Sequence, residues 1–525
     1  MVSPETRYLI MDHAVHISPV MSETKNTTAK IVSHVEETFN IDSFNIDSFE
    51  REKKRIDFLR KNVPGGFKLY SDVGNVFRFF NMFHGQIKYC SGLGGWLYWN
   101  GKQWVVDETG ETMLYAMKCV LNIYADLKNS KLDADEKKSI FQFASKSQSA
   151  NRIDSMLKLA HAVFSIKHDE LDSDSYSWLL NVENGVIDLK TGELLPHNPQ
   201  RLITKIAPIT YNPQAQCPIF NNFIASLFPD EPEMIQYLQK FFGYTLTAQT
   251  NEQMFLVGWG SGGNGKGTLF DVFLKLLGDY AVMTPSETLV KKEKDTGISN
   301  DVARLRGARF VLASEFPKGK KANSIFIKQA TGQDVLAARF LHKEFFEFRA
   351  KFKLVLMTND KPIMDGEDDA IWRRIKLVPF RQKFEGTKID MSLRDKLTSQ
   401  EELSGILNWC IQGCMLWQND GLIPPAAVLE ATSEYRDESS INNQWLTDCT
   451  IRQSNIKTKL AELHKNYSNW MSSNSISPIP NPKELCTFLV DKCGYKKKKT
   501  NAGIVIMDIG IIAAESDDNY IESCS

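Results

Sequence analysis

No excess of either charge runs through this chain: 63 Lys and Arg stand against 64 Asp and Glu, a formal charge of −1. That excludes a histone-like or arm-type polyanion binder, while leaving room for a local basic channel. Long apolar runs are missing too. No stretch approaches the roughly 18 residues a membrane helix needs. The opening MVSPETRYLIMDHAVHISPV lacks the basic start, apolar centre and cleavage site of a signal peptide. The nine cysteines are scattered, with no CxxC pair and no His at zinc-like spacing, so no structural zinc is expected. Cys410 and Cys414, in the apolar stretch ILNWCIQGCMLW, read as core residues. A soluble, intracellular protein is the expectation. What is present suffices for several cores: 525 residues, 42% hydrophobic and 11% aromatic, or three to four domains at about 150 residues each.

Residues 1–65 are polar and carry a tandem NIDSFNIDSF followed by the charged EREKKRIDFLRKN, which reads as a variable leader with one short helix. GGWLYWNGKQWVVDETGE places alternating aromatics around an Asn-Gly turn, a hairpin signal. Helical periodicity follows over 111–127 and 140–164, then turn-linked strands in NVENGVIDLKTGELLPHNPQ, then a helix over 234–247. Strands and helices alternate over 253–380, as a parallel α/β core requires. Residues 391–440 read as helical. The last block, about 441–512, combines helical patterns, a KKKK run and the strand-like GIVIMDIGII, and fits a small winged-helix module. The tail after Glu515 is acidic.

The sharpest signal is MFLVGWGSGGNGKGTLFDVFLKLLGD. An apolar strand over 254–257 enters a glycine-rich turn and then a helix with Leu269, Phe270, Phe273, Leu274 and Leu277 on one face, closed by Gly278 in a left-handed cap. The turn runs Gly260, Ser261, Gly262, Gly263, Asn264, Gly265, Lys266, Gly267, Thr268. Such glycines let backbone N–H groups surround a β-phosphate, the lysine neutralises β/γ oxygens, and the helix N-terminus adds partial positive charge. One position departs from the pattern. The residue after the lysine is ordinarily Ser or Thr, a Mg²⁺ ligand, and here it is Gly267; either Thr268 supplies the hydroxyl or water completes the metal shell.

Two further strands end in polar residues. GARFVLASEFPKG ends in Glu315, placed to polarise water or hold the metal's outer shell; Ser314 stands where a second acid would precede it. FKLVLMTND ends in Asn359, whose amide suits a γ-phosphate or the lytic water. In DDAIWRRIKLVPF, Arg373 and Arg374 precede another strand and could reach a neighbouring subunit's phosphate, or simply pair with Asp368 or Asp369.

Together GSGGNGKGT, LASEFPKGKKANSIFIKQATGQDVLAARFLHKEFFEF, KLVLMTND and DDAIWRRIKLVPF resemble, in order and spacing, the superfamily 3 helicases of the phage/plasmid primase–helicase type, relatives of the poxvirus helicase-primase NTPase. The resemblance spans roughly residues 66–510. It implies an AAA+-like P-loop NTPase core (249–390), a mixed α+β helicase-associated domain before it (66–248), a helical extension (391–440) and a winged-helix-like module with its tail (441–525). It further implies a hexameric ring translocating on single-stranded DNA at a fork, with ATP and Mg²⁺ as cofactors, in the cytoplasm of a bacterial host. Lys266 would contact phosphate, Glu315 and Thr268 would serve the metal, Asn359 would sense the γ-phosphate, and Arg373 or Arg374 would act in trans. His342 and Lys343 would lie at the tip of a pore hairpin and touch DNA, with Lys318, Lys320, Lys321 and the run 496–499 as outer contacts. No primer synthesis is expected from this chain, and a separate primase is a plausible partner. The other readings are a primase–helicase with a degenerate N-terminal part and an ATP-switched origin-binding protein.

Overall fold

The computed structural model describes residues 46–61, 68–129, 131–291, 300–339, 345–364, 368–386, 390–474, 476, 479–500 and 503–512. The first of these build a mainly helical unit: α1 (Ile46–Lys61), α2 (Asp72–Phe83), the antiparallel strands β1 (Ile87–Cys90), β2 (Gly95–Trp99) and β3 (Trp104–Val106), then α3 (Glu111–Asn122), α4 (Ala134–Ser147) and α5 (Ala150–Phe164). Trp99 faces Trp104 across the Asn100–Gly101 turn. Asn100 Oδ1 accepts the N–H groups of Lys102 and Gln103, and Gly101 has φ 95°, which explains the choice of residues there. Phe79, Phe83, Val120 and Phe164 fill this unit's core. A second antiparallel sheet, β4 (Leu179–Val182), β5 (Gly185–Asp188) and β6 (Leu194–Leu195), leads into α6 (Pro218–Leu227) and α7 (Pro232–Thr245).

The centre of the molecule is a five-stranded sheet. Its elements are β7 (Phe255–Trp259), α8 (Lys266–Leu277), β8 (Ala281–Pro285), α9 (Asn300–Ala303), β9 (Phe310–Ser314), α10 (Ser324–Thr331), the hairpin β10 (Val335–Arg339) and β11 (Phe345–Arg349), β12 (Lys353–Thr358), α11 (Asp369–Trp372) and β13 (Ile375–Pro379). Spatial order is β13-β7-β12-β9-β8, and every neighbouring pair is parallel. Leu256, Leu312, Val355 and Val378 pack on one face, and Val257, Ala313, Leu354 and Leu356 on the other. Burial on both faces is why these strands read as continuous apolar runs. The edge strand β8, AVMTP, has no such run. Gly278 ends α8 with φ 50° and ψ −118°, not the left-handed cap expected of it, and a Cβ there would lie 2.3 Å from Pro208 Cδ.

Beyond the sheet come α12 (Leu393–Leu397), α13 (Gln400–Asp420) and α14 (Ala426–Ser439). Helix α13 crosses α7 at backbone contact. A Cβ on Gly243 would stand 2.1 Å from the Cys414 nitrogen, and one on Gly413 would stand 2.0 Å from the Gln239 carbonyl oxygen. Cys410 and Cys414 are fully buried in this crossing. The last unit holds α15 (Ile441–Cys449), β14 (Thr450–Lys459), α16 (Leu460–Ser473), α17 (Pro482–Thr487), β15 (Lys497–Thr500) and β16 (Gly503–Ile511), with sheet order β14-β16-β15 around a core of Trp445, Leu463, Tyr467, Leu489 and Ile506. Strand β14 is polar along most of its length and precedes the helix read from the sequence. The KKKK run contributes most of edge strand β15. Among the described residues no helix is long and apolar enough to cross a membrane.

Candidate functional site

The turn between β7 and α8 is held from three sides. Gly263 (φ 73°) and Gly265 (φ 78°) adopt left-handed backbone that side chains disfavour. A Cβ on Gly260 would lie 2.4 Å from the Phe380 carbonyl oxygen, and one on Gly265 would lie 2.5 Å from Leu227 Cδ2 of α6. Asn264, 3% exposed, donates through Nδ2 to the Phe380 carbonyl (3.3 Å), and the Phe384 N–H donates to the Gly263 carbonyl (2.8 Å). Gly267 differs: no atom lies within 4 Å of a Cβ placed on it.

Lys266 opens α8 and is 4% exposed. Its Nζ lies 2.5 Å from the Gly260 carbonyl, 3.1 Å from Asn264 Oδ1, 3.2 Å from Asn359 Oδ1 and 3.3 Å from the Ser261 carbonyl. All four partners are neutral oxygens. Desolvation therefore lowers the ammonium from its ordinary 10.5 to about 8. A buried cation without a carboxylate is a poor resting arrangement and a good receptor for an anion.

Parallel register brings the other strand ends to the same edge. Trp259 lies opposite Thr358, and Met357 opposite Ser314. Asn359 follows β12 directly, and its carbonyl accepts the Trp259 indole N–H at 2.9 Å. Glu315 follows β9, exposed, with φ 60°; its N–H donates to the Met357 carbonyl (3.0 Å), and its carbonyl accepts the Ser286 hydroxyl (3.1 Å). A non-glycine residue held in left-handed backbone at a sheet's carboxyl edge is strain of the kind that collects at functional sites. Thr268 sits in the first turn of α8, half-buried.

The two arginines lie at the opposite end. The Arg374 carbonyl accepts the Phe255 N–H at 2.7 Å, so it sits beside the start of β7, while the glycine-rich turn follows that strand's end. The separation is roughly 13 Å of strand. Arg374 is 7% exposed; its Nη1 donates to the Ala370 carbonyl (2.6 Å), and its Nε is buried without a partner among the described residues. Arg373 is exposed. Neither acid suggested as its partner is idle: Asp368 pairs with Lys328 at 2.9 Å, and Asp369 pairs with Arg436 and with Lys492, the latter at 3.4 Å.

His342 and Lys343 lie outside the described residues. The hairpin that flanks them is present, with Arg339 opposite Phe345 and its guanidinium 4.7 Å from that ring's centre. Lys318, Lys320 and Lys321 are exposed. The sequence did not reveal the 380–384 segment that fastens the turn, because backbone groups make its contacts and backbone leaves no motif.

Two family models match the chain. "D5 N terminal like" covers residues 78–229, ending in the helix that carries Leu227. A "Family of unknown function (DUF5906)" covers 259–374, the stretch that includes Lys266, Glu315, Asn359, Arg373 and Arg374. A protein named "Putative helicase" of Acanthamoeba polyphaga mimivirus is 29% identical over 60% of this chain and 35% of its own length. These matches support the likeness to superfamily 3 primase–helicases that the motifs carry. Another similar protein, also named "Putative helicase", from Frog virus 3, is 28% identical over 48% of this chain and 28% of its own. A "Putative primase" of African swine fever virus (isolate Warthog) is 24% identical over 40% and 23%. The chain thus matches about a third or less of these curated relatives. Among solved structures, the apo NrS-1 C terminal region aligns at 12% identity and TM-score 0.36 over 61% of this chain and 81% of that one.

Proposed function

We propose that this chain is an ATP-hydrolysing DNA helicase in which nucleotide binds at the β7–α8 turn and is completed by a neighbouring copy. The observation that carries this reading is the buried Lys266 ammonium, which is ringed by neutral oxygens and touches Asn359 across the sheet. The cradle suits a triphosphate: backbone around Gly263 and Gly265 presents amides, and Lys266 supplies the charge. Asn359 would orient the terminal phosphate or the attacking water, and Glu315 would accept that water's proton. Thr268 and Glu315 are the groups that would hold Mg²⁺, which would supply neutralisation of the phosphate charge.

Arg373 and Arg374 share no end of the sheet with Lys266 in one chain, so either of these two would reach the phosphates only from the next subunit. This supports a closed ring, hexameric by family resemblance. Arg373 is the one free to extend. The hairpin β10–β11, with His342 and Lys343 between its strands, would face the ring's channel and track a single strand of DNA, with a separate primase laying down primers.

Mg²⁺-dependent ATP hydrolysis, measured with and without single-stranded DNA and with Lys266→Ala as the blank, tests this. Hydrolysis stimulated by DNA and lost in Lys266→Ala is the expected result. Assembled protein that binds ATP without turnover would instead make the site a switch.

A further inference from the structure

The last sheet carries a second array of cations, of which the sequence announced only the run 496–499. Register fixes which residues share a face. Thr458, Ile506 and Lys497 lie in one row, and Ile506 is fully buried in the module's core. The next row, Lys459, Val505 and Lys498, therefore points to the opposite side. One step further Lys457 lies opposite Met507, whose N–H donates to the Lys496 carbonyl at 2.8 Å. Lys457, Lys459, Lys496 and Lys498 thus frame Val505 and Met507 on the face turned away from the core, and all four are exposed. They are spaced about 7 Å along each strand and about 10 Å across the intervening one. Among the described residues only Lys459 of these four has a carboxylate within 4 Å, Glu462 at 3.9 Å.

The geometry points to a contact surface for the phosphate backbone of duplex DNA, separate from the hairpin. Charge of one sign displayed on neighbouring strands of one sheet face suits a polyanion. The residues between the lysines are Val505 and Met507, not aromatics, so the face offers no platform for stacking unpaired bases. Ammonium groups alone carry no base-edge readout, so the contact is independent of sequence. A duplex held here would keep the motor beside the double strand it is about to open. The contact needs no hydrolysis, so its failure and the failure of the helicase reading are separable.

Anisotropy of a labelled mixed-sequence duplex with the full chain, between about 50 and 200 mM salt, reads the number of phosphates engaged. Replacing Lys457, Lys459, Lys496 and Lys498 together by Gln should weaken duplex binding and reduce the slope of log K against log salt by about 3 to 4. The same four changed to Arg should retain the slope. Lys497→Gln with Lys499→Gln removes charge from the same run but from the other face, and should change the slope by less than about one. An unchanged slope in the four-Gln protein, an equal fall in the two-Gln protein, or a loss confined to single-stranded DNA overturns the proposal.

Discussion

Lys266 Nζ stands 3.2 Å from Asn359 Oδ1, a contact between residues 93 positions apart that ties the turn after β7 to the end of β12. On the proposed reading, the pair would make the terminal-phosphate position a shared property of two strands. Asn359→Ala should leave nucleotide binding within a few-fold and lower the hydrolysis rate by about a hundredfold, as loss of one preorganised polar group typically does. A steady-state comparison of kcat and KM decides: an effect on KM alone would make Asn359 a binding group only.

Burial holds Lys266 near 8 rather than 10.5. Between those values the unfolded chain keeps the proton that the folded one has released, so stability contributed by this group rises with pH across that window. A bound triphosphate favours the ammonium and reverses the preference. Nucleotide binding should therefore take up protons above about pH 8, with affinity falling as pH rises. Calorimetry in two buffers of different ionisation enthalpy measures the uptake, and Lys266→Met should remove it.

Gly267 has open space where a side chain would go, unlike Gly260 and Gly265. Gly267→Thr should fold with unchanged or slightly raised melting temperature, since glycine is a poor helix former, and should lower the Mg²⁺ concentration that half-saturates hydrolysis. An unchanged Mg²⁺ requirement would mean that Thr268 or water already completes the metal shell. Gly260→Ala, forced against the Phe380 carbonyl, should abolish binding.

Arg374 is buried and bonded to the Ala370 carbonyl, whereas Arg373 is exposed. Arg374→Ala should cost about 1–3 kcal/mol in urea unfolding by stranding that carbonyl. Arg373→Ala should leave stability unaltered and abolish turnover. Mixing Arg373→Ala with Lys266→Ala protein should restore part of the activity, because each supplies what the other lacks; no recovery in mixed assemblies argues against a site shared between copies.

The α7–α13 crossing leaves no room for a methyl group at Gly413. Gly413→Ala should lower stability by more than about 3 kcal/mol, as forced overpacking does at its upper range. A melting temperature within a few degrees of the parent would show that the helices separate at little cost.

Much of this architecture was legible beforehand, for identifiable reasons. Doubly buried strands such as FVLAS and KLVLMT announce themselves by composition, and the glycine-rich turn by residues whose spacing serves a backbone conformation. Strand β14, TIRQSNIKTK, was not legible, since an exposed polar strand has no hydrophobic period. The different burial of Arg373 and Arg374 was equally hidden: adjacent, identical residues carry no information about which one is buried.

The sequence by itself determined the chemistry available: a cation after a glycine-rich turn, polar residues closing two apolar strands, and an arginine pair before a third. Those are local properties of composition and spacing. Only the tertiary structure decided that β7, β9 and β12 end at one edge, that the partners of Lys266 among the described residues are neutral oxygens, that the arginines face the other way, and that lysines from two distant strands share one surface. Each depends on strand order and register, which arise from packing between residues far apart in the chain.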